Sequence, residues 1–211
     1  MLTKPIISFP GLGIGEFKLS KIAFSLFGSW TVYWYGIIIA AGFTVAVVYA
    51  LFNYKRFNLD VDRMIDVVLV TTPLAILGAR LYYMIFYYGR FGIKEFFGIG
   101  NAQGFSGLAI YGGVIGAALV GFIMCKIRKV NILDMLDIAA IGFMVAQGIG
   151  RWGNFMNGEA FGSETDIFCR MGVSNVLTGY MMKYVHPTFL YESLWNLVGF
   201  LIINILYKKK K

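Results

Sequence analysis

Five long apolar runs, separated by polar or charged stretches, dominate the hydropathy pattern of the chain. They extend from Trp30 to Phe52, about Met64 to Tyr88, about Ser106 to Cys125, about Leu133 to Gly150 and about Thr188 to Tyr207. A helix of roughly 20 apolar residues crosses a bilayer with its backbone polar groups paired inside the helix. The pattern therefore predicts five transmembrane helices and an all-α polytopic membrane protein.

The composition excludes a soluble globular protein and a disordered chain. Hydrophobic residues make up 58% of the 211 residues and charged residues 14%, whereas soluble domains average roughly 45–50% and about 25%. Aromatic residues make up 17%, which is too many for intrinsic disorder. The net charge of +8 is typical of loops that face anionic lipid. We therefore expect membrane lipids as partners and no nucleic acid.

Compact basic clusters follow three of the predicted helices and indicate their orientation. Because successive helices cross the membrane in opposite directions, one side of the membrane holds Lys55 and Arg56, the segment 126–129 and the lysines from Lys208 onward. The positive-inside rule makes that side cytoplasmic. The sequence thus predicts an outward N-terminus and an inward C-terminus.

Three outward segments complete a predicted single integral membrane domain over residues 1–211. Prolines and glycines interrupt residues 1–29, which lack the apolar core of a signal peptide, so we expect an outward N-terminal segment. Residues 89–105 mix phenylalanines with charges, as an interfacial arm in the headgroup layer does. Residues 158–187 are polar and predict a small extracytoplasmic head.

Small residues recur every four positions on the third and fourth predicted helices. The rows are Gly112 with Gly116, Gly113 with Ala117 and Gly121, and Gly142 with Ala146 and Gly150. In lipid, such rows let two helix backbones approach closely. They predict tight helix pairs; a functional interpretation adds a cleft bordered by exposed backbone.

Neither a metal site nor a disulfide is predicted. The two cysteines, Cys125 and Cys169, lie far apart in sequence, and the single histidine is His186. Structural zinc sites take four ligands, mostly cysteine and histidine. We expect two unpaired cysteines and no metal.

Two charged residues need a physical reason, because a charge at membrane depth costs at least a few kcal/mol. Arg80 lies inside the second span, where its guanidinium would either snorkel to the headgroup layer or hold an anionic headgroup. Glu192 follows Pro187 near the start of the fifth span, where a carboxylate complements the helix dipole.

The densest polar cluster follows the fourth span. Arg151, Asn154, Asn157 and Glu159 stand within nine residues, interleaved with glycines. Arginine presents a planar fork of donors that matches phosphate oxygens, and glycine lets backbone N–H groups approach an anion. At headgroup level the cluster predicts recognition of a phospholipid headgroup. A polar turn that caps one helix, anchored by Trp152, is the alternative.

Tyr35 and Tyr111 lie at the outer ends of the first and third spans. Tyrosine is common at the membrane interface, so each is an ordinary anchor unless it borders a site. Tyr111 directly precedes the glycine row of the third span.

Several motifs resemble those of the bacterial prolipoprotein diacylglyceryl transferase family. The segment Gly150-Arg-Trp-Gly-Asn-Phe-Met-Asn-Gly-Glu159 resembles the family signature. Further matches, in the family's order, are Trp34-Tyr-Gly36, Gly78-Ala-Arg-Leu-Tyr82, Tyr111-Gly-Gly113 and His186-Pro-Thr-Phe-Leu-Tyr-Glu192. The resemblance covers the chain from about residue 30 to its end.

The resemblance implies an enzyme of the bacterial inner membrane whose site faces the extracytoplasmic leaflet. Such an enzyme transfers the sn-1,2-diacylglyceryl group of phosphatidylglycerol to the lipobox cysteine thiol of preprolipoprotein signal peptides and releases glycerol phosphate. No cofactor is implied. The residues that the resemblance implicates are Arg151, Asn154, Asn157, Glu159, Gly162, Tyr35, Arg80 and Tyr111, with His186 and Glu192 in support.

This chemistry agrees with the residue types of the cluster. A thiolate attacks the glycerol carbon that bears the phosphate, and free cysteine has a pKa of about 8.5, so the thiol needs a base or electrostatic help. A cation stabilises the leaving phosphate as charge develops on it. Arg151 fits the second role.

Two features depart from the family pattern. Many members have a histidine where this chain has Tyr111; the phenol would relay a proton or donate to a phosphate oxygen. Members usually have seven spans, so we expect this chain to lack the last two helices. A truncated or paralogous membrane protein that binds phospholipid or lipoprotein precursors without catalysis is therefore the alternative. A small transporter or channel is a third, although the polar residues crowd one half of the membrane.

Overall fold

Five long apolar helices dominate the structure, a computed structural model that describes residues 4–26, 30–88, 92, 96 and 107–209. The helices are α1 Trp34–Asn53, α2 Val61–Tyr83, α3 Ile110–Arg128, α4 Ile132–Asn157 and α5 Thr188–Lys209. Each is long and apolar enough to cross a membrane. A mainly helical, multi-pass membrane protein is thereby confirmed. The predicted interfacial arm, residues 89–105, lies outside the described residues except for Gly92 and Phe96.

Local signals set the helix ends. The side chain of Asp60 accepts a hydrogen bond of 3.0 Å from the backbone N–H of Arg63 and caps the start of α2. Lys129 takes a left-handed conformation, φ 55°, directly after α3. Gly158 does the same, φ 62°, directly after α4.

The bounds of the helices differ from the predicted bounds by a few residues, and the first and fourth spans show the reasons. The segment Trp30–Tyr33, which the prediction placed in the first span, forms a strand, and α1 begins at Trp34. The fourth span, predicted to end near Gly150, continues as a helix to Asn157. No proline interrupts this last part. The polar side chains there lower the hydropathy, but they do not end the helix.

A four-stranded antiparallel sheet joins two distant parts of the sequence. Its strands are β1 Ile6–Phe9, β2 Ile14–Lys18, β5 Met171–Ser174 and β6 Lys183–Val185, in the spatial order β2-β1-β5-β6. A separate hairpin of β3 Ile22–Leu26 and β4 Trp30–Tyr33 leads into α1. The predicted head over residues 158–187 is thus completed by the N-terminal segment. Hydropathy did not indicate these strands because each is only three to five residues long.

An apolar core joins this sheet to the ends of two helices. Val173 and Val185 are at most 1% exposed and pack with Phe189 of α5. The Phe189 ring lies 4.6 Å from the ring of Phe155 and 5.3 Å from that of Trp152, both on α4. Burial of each such side chain contributes roughly 1.5–3 kcal/mol, so the sheet fixes the ends of α4 and α5.

The chain divides into two compact units. The first contains Met1–Ala50 and Ala139–Lys211, and the second contains Leu51–Ile138. The first unit therefore holds the sheet, most of α1 and α4, and all of α5. The second holds α2 and α3.

In the first unit, α1 and α4 pack backbone to backbone. A Cβ atom added to Gly42 would lie 2.9 Å from the carbonyl oxygen of Ala146, and one added to Gly142 would lie 3.3 Å from the Cβ of Ala46. The tight packing predicted from the row Gly142, Ala146 and Gly150 is therefore confirmed.

In the second unit, α2 and α3 form a similarly close pair. A Cβ atom added to Gly78 would lie 2.9 Å from the carbonyl oxygen of Gly112, and one added to Gly116 would lie 3.2 Å from the Cα of Ala75. The tight helix pair predicted from Gly112 and Gly116 is confirmed.

Replacing Gly158 by alanine is expected to destabilise the protein more than replacing Gly179. Both glycines are left-handed, φ 62° and φ 64°, a conformation that costs an ordinary residue about 1–2 kcal/mol. At Gly158 the new Cβ would also lie 2.9 Å from the Cβ of Pro5, whereas at Gly179 no atom of the described part of the chain lies within 4 Å of it. Thermal unfolding in detergent measures both variants; equal losses would contradict the packing argument.

Candidate active site

The last two turns of α4 carry three of the predicted site residues. Arg151, Asn154 and Asn157 follow one another at intervals of three residues, and side chains three apart are neighbours on a helix surface. The hydropathy of this segment predicted a polar stretch after the helix. Its helical conformation instead gives the three side chains defined directions at the end of a membrane-spanning helix.

Arg151 forms an ion pair with Glu192 of α5, through its Nη2 atom and the carboxylate Oε2 atom. The Arg151 side chain is 25% exposed and the Glu192 side chain 40%, so solvent only partly screens the pair. Glu192 lies in the second turn of α5, and the first turn contains no acidic residue. The ion pair, rather than the helix dipole, therefore explains the position of Glu192.

A hydrogen bond one residue along reinforces this ion pair. The indole Nε1 of Trp152 donates to the hydroxyl of Ser193 at 3.2 Å, and Ser193 is only 3% exposed. Consecutive residues of α4 thus bind consecutive residues of α5. Ser193 is not among the predicted site residues; the only sign of it in the sequence is a hydroxyl next to Glu192 within an apolar run.

Glu159 folds back onto the end of α4, where two amides hold its carboxylate. Its Oε1 atom accepts hydrogen bonds from the Nδ2 atoms of Asn157 at 2.9 Å and Asn154 at 3.3 Å. Its backbone N–H donates to the carbonyl oxygen of Asn154 at 3.1 Å. The three predicted residues therefore form one connected group with a fixed carboxylate.

Tyr35 packs against the same end of α4. A Cβ atom added to Gly153 would lie 2.9 Å from Cδ2 of the Tyr35 ring, so the ring rests on the helix backbone. Gly153 lies between Arg151 and Asn154 in the sequence, and Tyr35 is 37% exposed. The phenol therefore borders the polar group without being enclosed by it.

Gly162 and His186 bring together the two ends of the head, residues 158–187. The backbone N–H of Gly162 donates to the carbonyl oxygen of His186 at 3.0 Å, and the backbone N–H of His186 donates to the carbonyl oxygen of Ser163 at 3.0 Å. A Cβ atom added to Gly162 would lie 2.8 Å from the Cβ of His186. Gly162 thus acts in the first place through this close approach of two backbones.

The His186 ring belongs to a small polar chain in the head. Its Nδ1 lies 3.3 Å from the hydroxyl of Tyr191, which lies 3.5 Å from Sγ of Cys169. Cys125 and Cys169 are both free, as predicted. Within the described residues, no group of three or more His, Cys, Asp and Glu is arranged to hold a metal ion.

Arg80 lies in the second unit and is buried there, 3% exposed. Its Nε donates to the carbonyl oxygen of Phe96 at 3.1 Å and its Nη1 donates to that of Gly107 at 3.0 Å. The guanidinium also lies 5.8 Å from the centroid of the Tyr83 ring. Arg80 therefore binds the backbone of the chain that joins α2 to α3.

Tyr111 also belongs to the second unit. It is the second residue of α3 and is 64% exposed, and its ring centroid lies 6.2 Å from that of Tyr82. Arg80 and Tyr111 are thus in the second unit, whereas the other predicted site residues are in the first. The roles predicted for Arg80 and Tyr111 stay predictions.

Comparison with known proteins matches most of the chain, including the whole of α4 and α5. The family model described as prolipoprotein diacylglyceryl transferase matches residues 21–211. This chain belongs to the prolipoprotein diacylglyceryl transferase family. The matched range contains the Arg151–Glu192 ion pair and the group around Glu159, so family membership and site geometry concern the same residues.

Individual family members are similar over nearly the whole chain. Phosphatidylglycerol–prolipoprotein diacylglyceryl transferase 1 of Clostridium perfringens is 45% identical over 193 residues, which cover 90% of this chain and 72% of the relative. The transferase of Clostridium novyi is 41% identical over 199 residues, which cover 90% of this chain and 74% of the relative. The transferase of Streptococcus pneumoniae is 43% identical over 203 residues, which cover 92% of this chain and 73% of the relative.

Proposed function

We infer that this protein is a phosphatidylglycerol–prolipoprotein diacylglyceryl transferase. It transfers the diacylglyceryl group of phosphatidylglycerol to the cysteine thiol of a prolipoprotein. The observation that carries this inference is the family match, which includes the helix end where Arg151 and Glu159 are held. The chain covers 72–74% of the length of its relatives from the two Clostridium species, and a binding protein without activity is not favoured.

In the reaction, the thiolate sulfur attacks the carbon of the diacylglyceryl group that bears the phosphate. A sulfur–carbon bond forms, the carbon–oxygen bond to the phosphate breaks, and glycerol phosphate leaves with the electron pair. The thiol proton passes to a base, and the sequence-based prediction for Tyr111 is that its phenol relays this proton or donates to a phosphate oxygen. Negative charge thus moves from sulfur to phosphate, and a cation at the phosphate lowers the barrier.

Arg151 is the cation that we assign to the phosphate. The guanidinium has five N–H donors in a planar fork, and the ion pair with Glu192 engages Nη2. Because one carboxylate engages one side of the guanidinium, the N–H donors of another side can face a phosphate. Arginine binds phosphate through two parallel hydrogen bonds. The end of α4 lies at the membrane boundary, which is where a phospholipid has its phosphate.

Glu192 is a positioning residue for Arg151 in this proposal. An arginine side chain loses up to about 2 kcal/mol of rotamer entropy when it is held in one position. The ion pair with Glu192 and the neighbouring Trp152–Ser193 hydrogen bond hold it before the lipid arrives. Preorganised charges cost no reorganisation when the transition state forms.

Glu159 recognises the glycerol headgroup in this proposal. Its Oε1 atom accepts from both asparagines, which orients the second oxygen, Oε2, as an acceptor for a headgroup hydroxyl. Asn154 and Asn157 then act through Glu159 as positioning residues. Tyr35, whose ring rests on Gly153, borders the lipid on the same side of α4.

We place the protein in the bacterial inner membrane with the end of α4 toward the extracytoplasmic leaflet. Basic residues support this orientation, because Lys126 and Arg128 lie in the last turn of α3, before the turn that leads into α4. The positive-inside rule makes that end cytoplasmic. A translocated prolipoprotein signal peptide presents its cysteine at the opposite face.

A reconstituted assay tests the function. The full chain in phosphatidylglycerol vesicles is expected to add the mass of one diacylglyceryl group to a synthetic lipobox peptide, as measured by mass spectrometry. Vesicles of phosphatidylcholine alone, and a peptide with serine in place of its cysteine, are expected to give no product. Absence of product from phosphatidylglycerol vesicles that contain folded protein would overturn the proposal.

A further inference from the structure

The head presents a cluster of exposed apolar side chains on one tight turn. We call residues 176–181 the apolar turn. Val176 is 65% exposed, Leu177 68%, Tyr180 58% and Met181 66%. Scattered exposed apolar residues are ordinary, but a contiguous patch indicates a surface that meets another apolar phase.

The apolar turn is rigidly built rather than an unfolded loop. The side chain of Asn175 accepts hydrogen bonds from the backbone N–H groups of Leu177 at 2.8 Å and Thr178 at 3.2 Å. The hydroxyl of Thr178 in turn accepts from the backbone N–H of Asn175 at 2.9 Å. This reciprocal capping box fixes the direction in which Val176 and Leu177 project.

A second contact places the apolar turn at the level of the membrane boundary. The Nδ2 of Asn175 donates to the carbonyl oxygen of Gly158, the residue that follows the last residue of α4. Because α4 is long and apolar enough to span the bilayer, its end marks the headgroup layer. Asn175, and the turn that begins there, lie beside that layer.

Basic residues flank the apolar turn. Ile6 pairs with Ser174 on one side and with Lys18 on the other, and Lys4 precedes Ile6 by two residues. Residues 4–21 contain three lysines and one glutamate. The β1–β2 side of the sheet beside the apolar turn is therefore positively charged and complements a surface of anionic phospholipid. On the β6 side, Glu164 and Asp166 lie near Met181, and Glu164 is paired with Lys183.

We propose that the apolar turn inserts into the headgroup layer of the bilayer that contains the protein, with Lys4 and Lys18 bound to anionic lipid beside it. Amphipathic elements at an interface bury their apolar side chains roughly 5–10 Å into the boundary between headgroups and acyl chains. The sheet would thus be fastened to the membrane at a point separate from the helices. This surface interaction does not depend on the transferase reaction.

Site-specific fluorescence tests the insertion in the full chain. Leu177→Cys, in a background with Cys125→Ala and Cys169→Ser, carries a bimane label in vesicles of phosphatidylglycerol and phosphatidylcholine. We expect quenching by lipids with a nitroxide near the headgroup, and several-fold weaker quenching by aqueous iodide than in the control. Lipid quenching is expected to decrease with phosphatidylcholine alone or with high salt.

Phe168→Cys is the matched control because Phe168 is 70% exposed and lies toward the other end of the sheet. Its backbone contacts Gly11, which follows the end of β1 remote from Lys4. Equal iodide access at positions 177 and 168 would overturn the proposal. Protection at 177 without lipid quenching would also overturn it, because a protein partner would then cover the turn.

A measurement without substitutions guards against misfolding of the cysteine variants. Hydroxyl-radical oxidation of Met181 in the native sequence is expected to be several-fold slower in phosphatidylglycerol nanodiscs than in phosphatidylcholine nanodiscs. Phe168, 70% exposed and remote from the apolar turn, reports an unchanged radical dose through its peptide. Equal oxidation of Met181 in the two lipids would contradict the proposed role of the lysines.

Discussion

Replacing Arg151 by alanine is expected to lower kcat/KM for diacylglyceryl transfer by about 10²–10³-fold, the loss typical of removing one preorganised group that stabilises transition-state charge. The guanidinium is held by Glu192 at the end of a membrane-spanning helix, where a phospholipid phosphate lies. The variant should still insert, because the apolar surfaces of α4 do not involve this side chain. Single-turnover assays in phosphatidylglycerol vesicles measure the rate of lipid transfer to a lipobox peptide.

Arg170→Ala is the matched control for this prediction. Arg170 is also an arginine of the first unit, and its guanidinium donates to the backbone oxygens of Asp166 at 3.1 Å and Ile167 at 3.3 Å. Its loss removes the same charge at a distance from α4 in sequence and is expected to leave the rate within about twofold, as surface substitutions do. An Arg151→Ala enzyme with activity equal to that of Arg170→Ala would refute the assignment.

Two further substitutions separate charge from geometry at this site. Arg151→Lys keeps the charge but loses the planar fork, and it should retain only part of the activity. Glu192→Gln keeps the shape but removes the charge that orients Arg151. If Glu192 acts only by positioning Arg151, its loss lowers kcat in the native enzyme and has little further effect in Arg151→Ala. Additive losses would contradict this coupling.

Replacing Gly42 by leucine is expected to be the most destabilising single change in the helices of the first unit. Even a Cβ atom there would lie 2.9 Å from the carbonyl oxygen of Ala146, so α1 and α4 would have to separate. Overpacking of this kind costs typically about 1–3 kcal/mol, and more where backbone must move. Thermal unfolding in detergent, followed by gel filtration of the soluble fraction, measures the loss.

Gly36→Leu provides the comparison within the same helix. Among the residues that the structure describes, nothing lies within 4 Å of a Cβ atom added to Gly36, and a helix gains up to about 1 kcal/mol when glycine is replaced by a residue of higher helix propensity. This variant should therefore unfold at the same or a higher temperature. A Gly42→Leu protein as stable as Gly36→Leu would show that the α1–α4 contact has room to relax.

The positions of the helices could be predicted because their cause is local. Lipid offers no hydrogen bonds, so a segment that crosses it alone satisfies its backbone groups internally, as an apolar helix does, and the five runs are visible without knowledge of their neighbours. The rows of small residues were readable for the same reason, since helix periodicity places Gly142 and Ala146 on one face. The helix that packs against this row could not be predicted, because the row does not indicate that its partner is α1.

The end of α4 shows where a hydropathy pattern misleads. The polar residues Arg151, Asn154 and Asn157 lower the apolar signal, so the predicted span stopped near Gly150 while the helix continues to Asn157. Hydropathy reports which phase surrounds a residue and carries no information on its backbone conformation. Short strands such as β1 and β5 were missed because each pairs with a segment far away in sequence.

The sequence alone determined that this protein crosses the membrane and that its motifs resemble a lipid-dependent transferase family, and it predicts that Arg151 binds the lipid phosphate. Only the tertiary structure decided that Glu192 holds Arg151 and that two asparagines converge on Glu159. It also decided that Arg80 is buried and that its guanidinium binds two backbone carbonyls. The physical reason is that a charged side chain takes its role from the nearest opposite charge or hydrogen-bonding partner, and the packing of distant segments selects that partner.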